Sequence, residues 1–250
     1  MKILLIGACG RMGKAVAARS ADCGVQIVCG VDPVSADLTF PLYASLDQVT
    51  EQIDGVIDFS SAKSLPSTLA FCKAHSLPVL LAATGYSDED MKTIAQYARS
   101  VAIFKTGNLS IGVNLLQLLA KKAAAVLGDT FDTEIIERHH NRKKDAPSGT
   151  ALMLAESVKE GRKAQSSFVY GRQGLVGERN ASEIGIHAVR GGTIVGEHEV
   201  MFAGEDEIVT LSHSARSRSV FANGALRAIA WLKDKPAGLY DMFDLLGEIL

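Results

Sequence analysis

The densest group of chemically able side chains runs His139-His140-Asn141-Arg142-Lys143-Lys144-Asp145-Ala146-Pro147-Ser148-Gly149-Thr150-Ala151. Residues 131–139 read as extended, which sets Glu137 and His139 on one face and His140 on the other. Pro147 disfavours helix at Ala146, and Ser148 is a natural N-cap for a helix through Glu156. Two imidazoles and three cations therefore gather beside the free N–H groups of a helix start. That combination suits a small dianion such as a dicarboxylate. A solvated basic loop after an edge strand has the same composition and is the competing reading. No metal site is expected, because adjacent histidines point to opposite sides of a strand and neither H-x-x-x-H nor H-E-x-x-H occurs.

A second constellation lies near the N-terminus. Ile3-Leu4-Leu5-Ile6 leads directly into Gly7-Ala8-Cys9-Gly10-Arg11-Met12-Gly13, followed by a helical stretch over residues 14–21. Another apolar run, residues 25–31, ends on Asp32. Glycines let a backbone turn tightly against a pyrophosphate held by helix N-terminal N–H groups, and an acidic residue about 20 positions on can accept from ribose hydroxyls. The spacing is G-x-x-G-x-x-G and not the usual G-x-G-x-x-G. A turn that serves only packing therefore competes with a dinucleotide bed, and Asp32-Pro33 can also simply end a strand. Cys9 reads as a small filler and not as a nucleophile.

The elements that must position these groups follow from periodicity. Strand-like runs at 55–59, 78–82 and 101–104 alternate with helical stretches at 64–75 and 88–99, which predicts a parallel sheet covered on both faces. Ligands of such sheets sit beyond the carboxyl ends of the strands. That rule places the glycine turn, Asp32, Phe59-Ser60, Ala83-Thr84-Gly85 and Thr106-Gly107-Asn108 on one rim. From Asn108 the pattern changes. Ser110 can cap a helix carrying Ile111, Leu115, Leu118, Leu119 and Val126, which Gly128 stops. Extended runs at 183–189, 193–202 and 207–213 predict an antiparallel meander, and a helix over 218–231 is expected to pack back on the first domain.

With 250 residues, 47% of them hydrophobic, the chain can fill a substantial core. A formal charge of −2 gives no electrostatic basis for general nucleic-acid or anionic-membrane binding. No apolar run is read as approaching the roughly 18–20 residues of a membrane span, and residues 3–6 are too short for a secretory core. Cys9, Cys23, Cys29 and Cys72 form no C-x-x-C pair, so a reduced, cytoplasmic setting is expected.

These segments, with Glu134-Ile135-Ile136-Glu137-Arg138, Val195-Gly196-Glu197-His198 and Phe221-Ala222-Asn223-Gly224-Ala225, closely resemble the 4-hydroxy-tetrahydrodipicolinate reductase (dihydrodipicolinate reductase) family. They span almost the whole chain in the family's order. The resemblance implies an α/β protein: an N-terminal Rossmann-like parallel-sheet domain plus an α+β substrate and oligomerisation domain with a mainly antiparallel open sheet. Residues 1–109 and 219–250 would form the dinucleotide-binding domain and 110–218 the second. The implied reaction is NAD(P)H-dependent reduction of a cyclic imine dicarboxylate with loss of its 4-hydroxyl as water, in the diaminopimelate route to lysine. His139 matches the general acid/base and Lys143 a second proton donor. His140, Ser148, Gly149 and Thr150 match substrate-binding positions. Cofactor contacts fall on Gly7, Ala8, Cys9, Gly10, Arg11, Met12, Asp32, Ala82, Ala83, Thr84, Thr106, Gly107, Asn108 and Leu109. The family is usually a homotetramer.

Two departures matter. Ala82-Ala83-Thr84-Gly85 stands where the family commonly has Gly-Thr-Thr-Gly, and Pro33 follows Asp32 where members that use NADPH well often carry Arg. A carboxylate without an adjacent cation should repel a 2′-phosphate, so NADH is the expected preference, with Arg11 and Lys14 as possible support for NADPH. The alternatives are a relative acting on another small imine, and a non-catalytic NAD(H) sensor.

Overall fold

A computed structural model describes residues 1–162 and 165–248. Its strands and α-helices in chain order are β1 (Lys2–Ile6), α1 (Arg11–Ser20), β2 (Gln26–Val31), β3 (Leu42–Tyr43), β4 (Gly55–Asp58), α2 (Leu65–Ala74), β5 (Val79–Leu81), α3 (Asp88–Tyr97) and β6 (Ala102–Lys105). They continue with α4 (Ile111–Leu127), β7 (Asp132–His139), α5 (Gly149–Gly161), β8 (Ser167–Tyr170), β9 (Glu183–Arg190), β10 (Gly196–Ala203), β11 (Ile208–Ala215), α6 (Ser219–Leu232), β12 (Gly238–Tyr240) and α7 (Met242–Gly247). The chain divides into one unit of Met1–Ile111 with Arg218–Leu250 and a second of Gly112–Ser217.

The first unit is built on an all-parallel sheet in the order β12-β6-β5-β4-β1-β2-β3. Its central strands are apolar at successive positions because both faces are covered. Ile3, Leu5, Ile57, Leu80 and Phe104 pack with Val16 of α1 and with Ala222, Ala225, Leu226 and Ile229 of α6. Leu4, Ile6, Val56, Val79 and Ile103 face the other way, onto Leu65 and Leu69 of α2 and Ile94 of α3. A capping box starts α3: the Ser87 hydroxyl accepts the Asp90 N–H at 3.1 Å, and the Asp90 carboxylate accepts the Ser87 N–H at 2.8 Å.

The second unit carries a five-stranded sheet in the order β11-β10-β7-β9-β8. Here the meander expected from the sequence is corrected. The β10–β11 pair is an antiparallel hairpin, but β9 lies on the far side of β7 and parallel to it, and β8 adds parallel to β9. Strand β7 is therefore central, paired antiparallel to β10 along one edge and parallel to β9 along the other. Gly191-Gly192 therefore marks the exit from β9 and not a tight turn into β10. Strand β8, four residues long, is too short to show a period.

Leu116, Ala120 and Ala124 of α4 and Leu154 and Val158 of α5 cover one face, against Ile135, Ile184, Val200 and Phe202. With the turn that follows it, α4 (Ile111–Thr130) contains an 18-residue window of mean hydropathy 1.3 and is long and apolar enough, by length and composition, to cross a membrane. That corrects the reading of the apolar runs; a third of its most apolar 18-residue window is buried inside the protein, including the core positions just named.

Close approach of α5 to α4 depends on Gly161. A Cβ there would collide with the Lys121 carbonyl oxygen and stand 2.9 Å from the Ala124 Cβ. Backbone cannot move aside cheaply, so Gly161→Ala should destabilise the protein by about 2–3 kcal/mol. Equilibrium denaturant unfolding checks this, and an unchanged midpoint would contradict the tight α4–α5 contact.

Candidate active site

In the first unit the glycine turn has the geometry of an anion cradle. Gly7 has φ +76°, and a Cβ on it would lie 2.8 Å from the Phe59 carbonyl carbon at the end of β4. Gly13, inside α1, lets the helix start rest on the turn: its Cβ would lie 2.6 Å from the Ala8 carbonyl oxygen and collide with that of Gly7. The glycines therefore serve the tight turn and the helix–strand packing that a bound pyrophosphate requires. Gly10 is the N-cap of α1 and contributes no side chain, which leaves the N–H groups of the first turn open to an anion. The Asp32 carboxylate, at the end of β2, accepts the Cys9 N–H and the Val34 N–H, each at 3.0 Å. Cys9 donates its thiol to the Val34 carbonyl at 3.1 Å, in keeping with a packing role.

Beyond the ends of β4, β5 and β6 opens a cavity of about 650 Å³. It gathers Met12, Ala82, Ala83, Thr84, Thr106, Gly107, Asn108 and Leu109 from the expected cofactor positions. Gly7, Ala8, Cys9, Gly10, Arg11 and Asp32 do not line it; they belong to the turn, the start of α1 and the end of β2. Tyr86, Lys105 and Phe221 line the cavity and were not anticipated. The Lys105 ammonium lies 5.7 Å from the Tyr86 ring centroid. Tyr86 and Lys105 flank segments already placed on the rim, and Phe221 begins one of the segments that carry the family resemblance. An open cradle at Gly7 and Gly13 beside this cavity fits a nicotinamide dinucleotide.

The second unit brings part of the 139–151 cluster together. His139, with an 11% exposed side chain, places Nδ1 2.6 Å from the Glu137 carboxylate. Glu137 is fully buried. Arg190 grips it with two N–H groups at 2.7 and 2.8 Å, and the Ser148 N–H donates to it at 2.9 Å. Ser148 also caps α5, its hydroxyl oxygen accepting the Ala151 N–H at 3.1 Å. The one hydroxyl proton is then available to His198 Nε2 at 2.9 Å. Ser148 is thus engaged inside the protein through its N–H, its hydroxyl proton and one hydroxyl lone pair, and Gly149 and Thr150 begin the helix beside it. Lys143 pairs with Asp145 at 2.8 Å, which holds the exposed Asp145 carboxyl below its ordinary range. His140 is half-buried, with Nδ1 lacking a partner among the described residues.

Sequence reading put Glu137 on the face of His139 but gave it no role, and it missed Arg190 and His198. Arg190 lies opposite His139 in the β7–β9 register. Its signal was a cation directly before the glycine pair. His198 packs edge-on to His139, with ring centroids 5.1 Å apart. Burial, reinforced by the neighbouring His139, pushes its pKa down to about 4. No group of three or more side chains able to hold a metal occurs among the described residues.

A parallel sheet with this glycine cradle, and a second unit carrying an imidazole, a lysine and a helix start, is the build of a dinucleotide-dependent oxidoreductase. The chain belongs to the dihydrodipicolinate reductase family: the family's N-terminal model matches residues 1–109 and its C-terminal model residues 112–246. It is 46% identical over 247 residues to the 4-hydroxy-tetrahydrodipicolinate reductase of Caldanaerobacter subterraneus subsp. tengcongensis, covering 98% of each chain. Identity is 44% over 250 residues to the enzyme of the same name from Clostridium tetani, covering 99% of this chain and 98% of that one. The fold is also that of a dipicolinate-bound dihydrodipicolinate reductase from Paenisporosarcina sp. TG-14, with TM-score 0.82, 24% identity, and 98% of this chain and 99% of that one covered.

The buried, neutral His198 makes stability pH-dependent. Its folded pKa of about 4 lies below the ordinary 6.5, so its contribution is complete above pH 6.5 and is lost as pH falls towards 4. The loss is on the order of 3 kcal/mol. Unfolding followed between those pH values should show a clearly smaller acid loss in His198→Gln than in wild type, whereas equal losses would mean that His198 is not held neutral.

Proposed function

We propose that the chain reduces 4-hydroxy-tetrahydrodipicolinate to tetrahydrodipicolinate with loss of water, using NADH in preference to NADPH, in the diaminopimelate route to lysine. The observation that carries this is His139, partly open and oriented by a buried carboxylate that the start of α5 also holds, in a chain of this family. The dipicolinate in the Paenisporosarcina relative supports a cyclic dicarboxylate as the ligand class. When bound in the first unit, the nicotinamide supplies the hydride. The protein must supply orientation, charge and a proton. His139 delivers the proton as general acid, a role open to an imidazole that can donate from one ring nitrogen while a carboxylate holds the other. Lys143, released from the exposed Asp145, is the second proton donor and attracts a substrate carboxylate. The N–H groups at Gly149 and Thr150 receive a carboxylate at the positive end of α5, and His140 makes a further substrate contact. Ser148 serves this site by holding the helix start in place.

NADH preference rests on Asp32, whose carboxylate is fixed by two backbone N–H groups and followed by Pro33. A fixed negative charge there accepts ribose hydroxyls and repels a 2′-phosphate. The homotetramer that the family resemblance implies needs a contact surface, and Tyr170, Leu175, Val176 and Val189, exposed apolar side chains on β8, in the loop after it and on β9, offer one. A reduced, cytoplasmic setting agrees with four free thiols, two of them buried.

Turnover is tested by cofactor oxidation, with a synthase generating the substrate from pyruvate and aspartate semialdehyde. His139→Gln and Lys143→Ala should each lose roughly 100-fold or more in kcat while NADH affinity is kept. Tight NADH binding without wild-type turnover would favour the sensor reading instead. In the same assay kcat/KM should be higher with NADH than with NADPH, and Asp32→Ser should narrow the ratio by about tenfold. A wild-type enzyme that favours NADPH by about tenfold or more would overturn the preference.

A further inference from the structure

We propose that Glu137, clamped by Arg190 and the Ser148 N–H, is a positioning residue for proton donation by His139: it fixes the imidazole with a proton on Nδ1 and leaves Nε2 to the substrate. The inference rests on His139 being the proton donor. It goes further by assigning the groups that set its donor atom.

The argument is one of donors and acceptors. Glu137 Oε1 accepts from the Ser148 N–H and one Arg190 N–H, and Oε2 accepts from a second Arg190 N–H and faces His139 Nδ1. A peptide N–H and a guanidinium can only donate, so the carboxylate between them is ionised and acts purely as acceptor. Burial pushes its pKa up, but Arg190, His139 and the Ser148 N–H outweigh burial and hold it below the ordinary value. An acceptor-only partner at 2.6 Å requires a hydrogen on Nδ1. His139 then has two states that need no ring movement: the imidazolium, which donates from Nε2, and the Nδ1–H tautomer left after donation. Nε2 has no hydrogen-bond partner among the described residues.

Arg190 is needed because a fully buried carboxylate is costly unless paired. It also fills the lone pairs that would otherwise let Glu137 rotate. Glycine at 196 keeps the space beside Nε2 clear, since a Cβ there would stand 3.1 Å from it.

Glu137→Gln separates this role from a plain salt bridge. The amide oxygen best faces Ser148 N–H and Arg190, which turns its NH2 group towards His139 Nδ1. That nitrogen must then accept, and the neutral ring carries its proton on Nε2 instead. The loss of kcat should approach but not exceed that of His139→Gln, roughly 100-fold or more, as when a catalytic histidine is held in the wrong tautomer. KM for NADH should not change.

The tautomer is read directly by NMR of protein carrying 15N-labelled histidine at alkaline pH, with His139→Gln identifying the His139 signals. Wild type should show Nδ1–H and Glu137→Gln should show Nε2–H together with the loss of kcat. Should the single variant fail to fold, Glu137→Gln with Arg190→Met removes both charges of the pair, and the same tautomer change and loss are expected. Nε2–H in wild type, Nδ1–H retained in the variant, or turnover within about threefold of wild type would overturn the proposal. If His139→Gln is inactive while Glu137→Gln is active, the positioning role alone fails; if His139→Gln is fully active, the general-acid reading fails with it.

Discussion

A carboxylate removed entirely from water must be answered by donors, and in the second unit that carboxylate is Glu137. Each donor that answers it comes from a different element. Arg190 arrives because β9 runs parallel to β7 in a register that sets it beside His139. The Ser148 N–H arrives because the loop after β7 returns to begin α5 at that point. His139 itself lies two residues along the same strand. A one-residue slip of β7 would send Glu137 and His139 to the opposite face and leave Arg190 and the helix start without their acceptor. The setting of His139, the start of α5 and the sheet register are therefore one problem with one solution.

The first unit contains the contrasting case. Asp58, also fully buried, ends β4 beside the cavity and has no cation among its hydrogen-bond partners. It accepts the Ser60 N–H at 2.8 Å and the Thr68 hydroxyl at 3.0 Å, with Ser60 and Ser64 hydroxyls completing the set. Neutral donors suffice here, and they fix the turn that carries Phe59 against Gly7. A surface built from small residues, glycines and hydroxyls stays open to a nucleotide, where bulky charged pairs would fill it.

What could be read from the sequence divides along the same physical line. Local signals were legible: the glycine turn, the continuous apolar strands of a doubly covered sheet, and Ser148 as a cap. The proton-donor roles of His139 and Lys143 came from the family resemblance and not from spacing. Long-range pairings were not legible. Nothing in residues 183–202 says that β9 should pass over to β7 and not fold onto β10, because both arrangements bury the same alternating positions. Arg190 was invisible for the same reason: its meaning comes from a partner 53 residues away. Tyr86 and Lys105 reach the cavity only through the ends of neighbouring strands. The apolar length of α4 was hidden by Asn114, Gln117, Lys121 and Lys122, which interrupt the run without removing its mean hydropathy.

The dependence of His139 on Glu137 is the claim on which this account turns, and a double-mutant cycle tests it most directly. kcat/KM would be measured for wild type, Glu137→Gln, His139→Gln and the double variant. If Glu137 acts only through His139, adding Glu137→Gln to His139→Gln costs nothing further. Losses that multiply would show the two residues acting independently and would contradict the account.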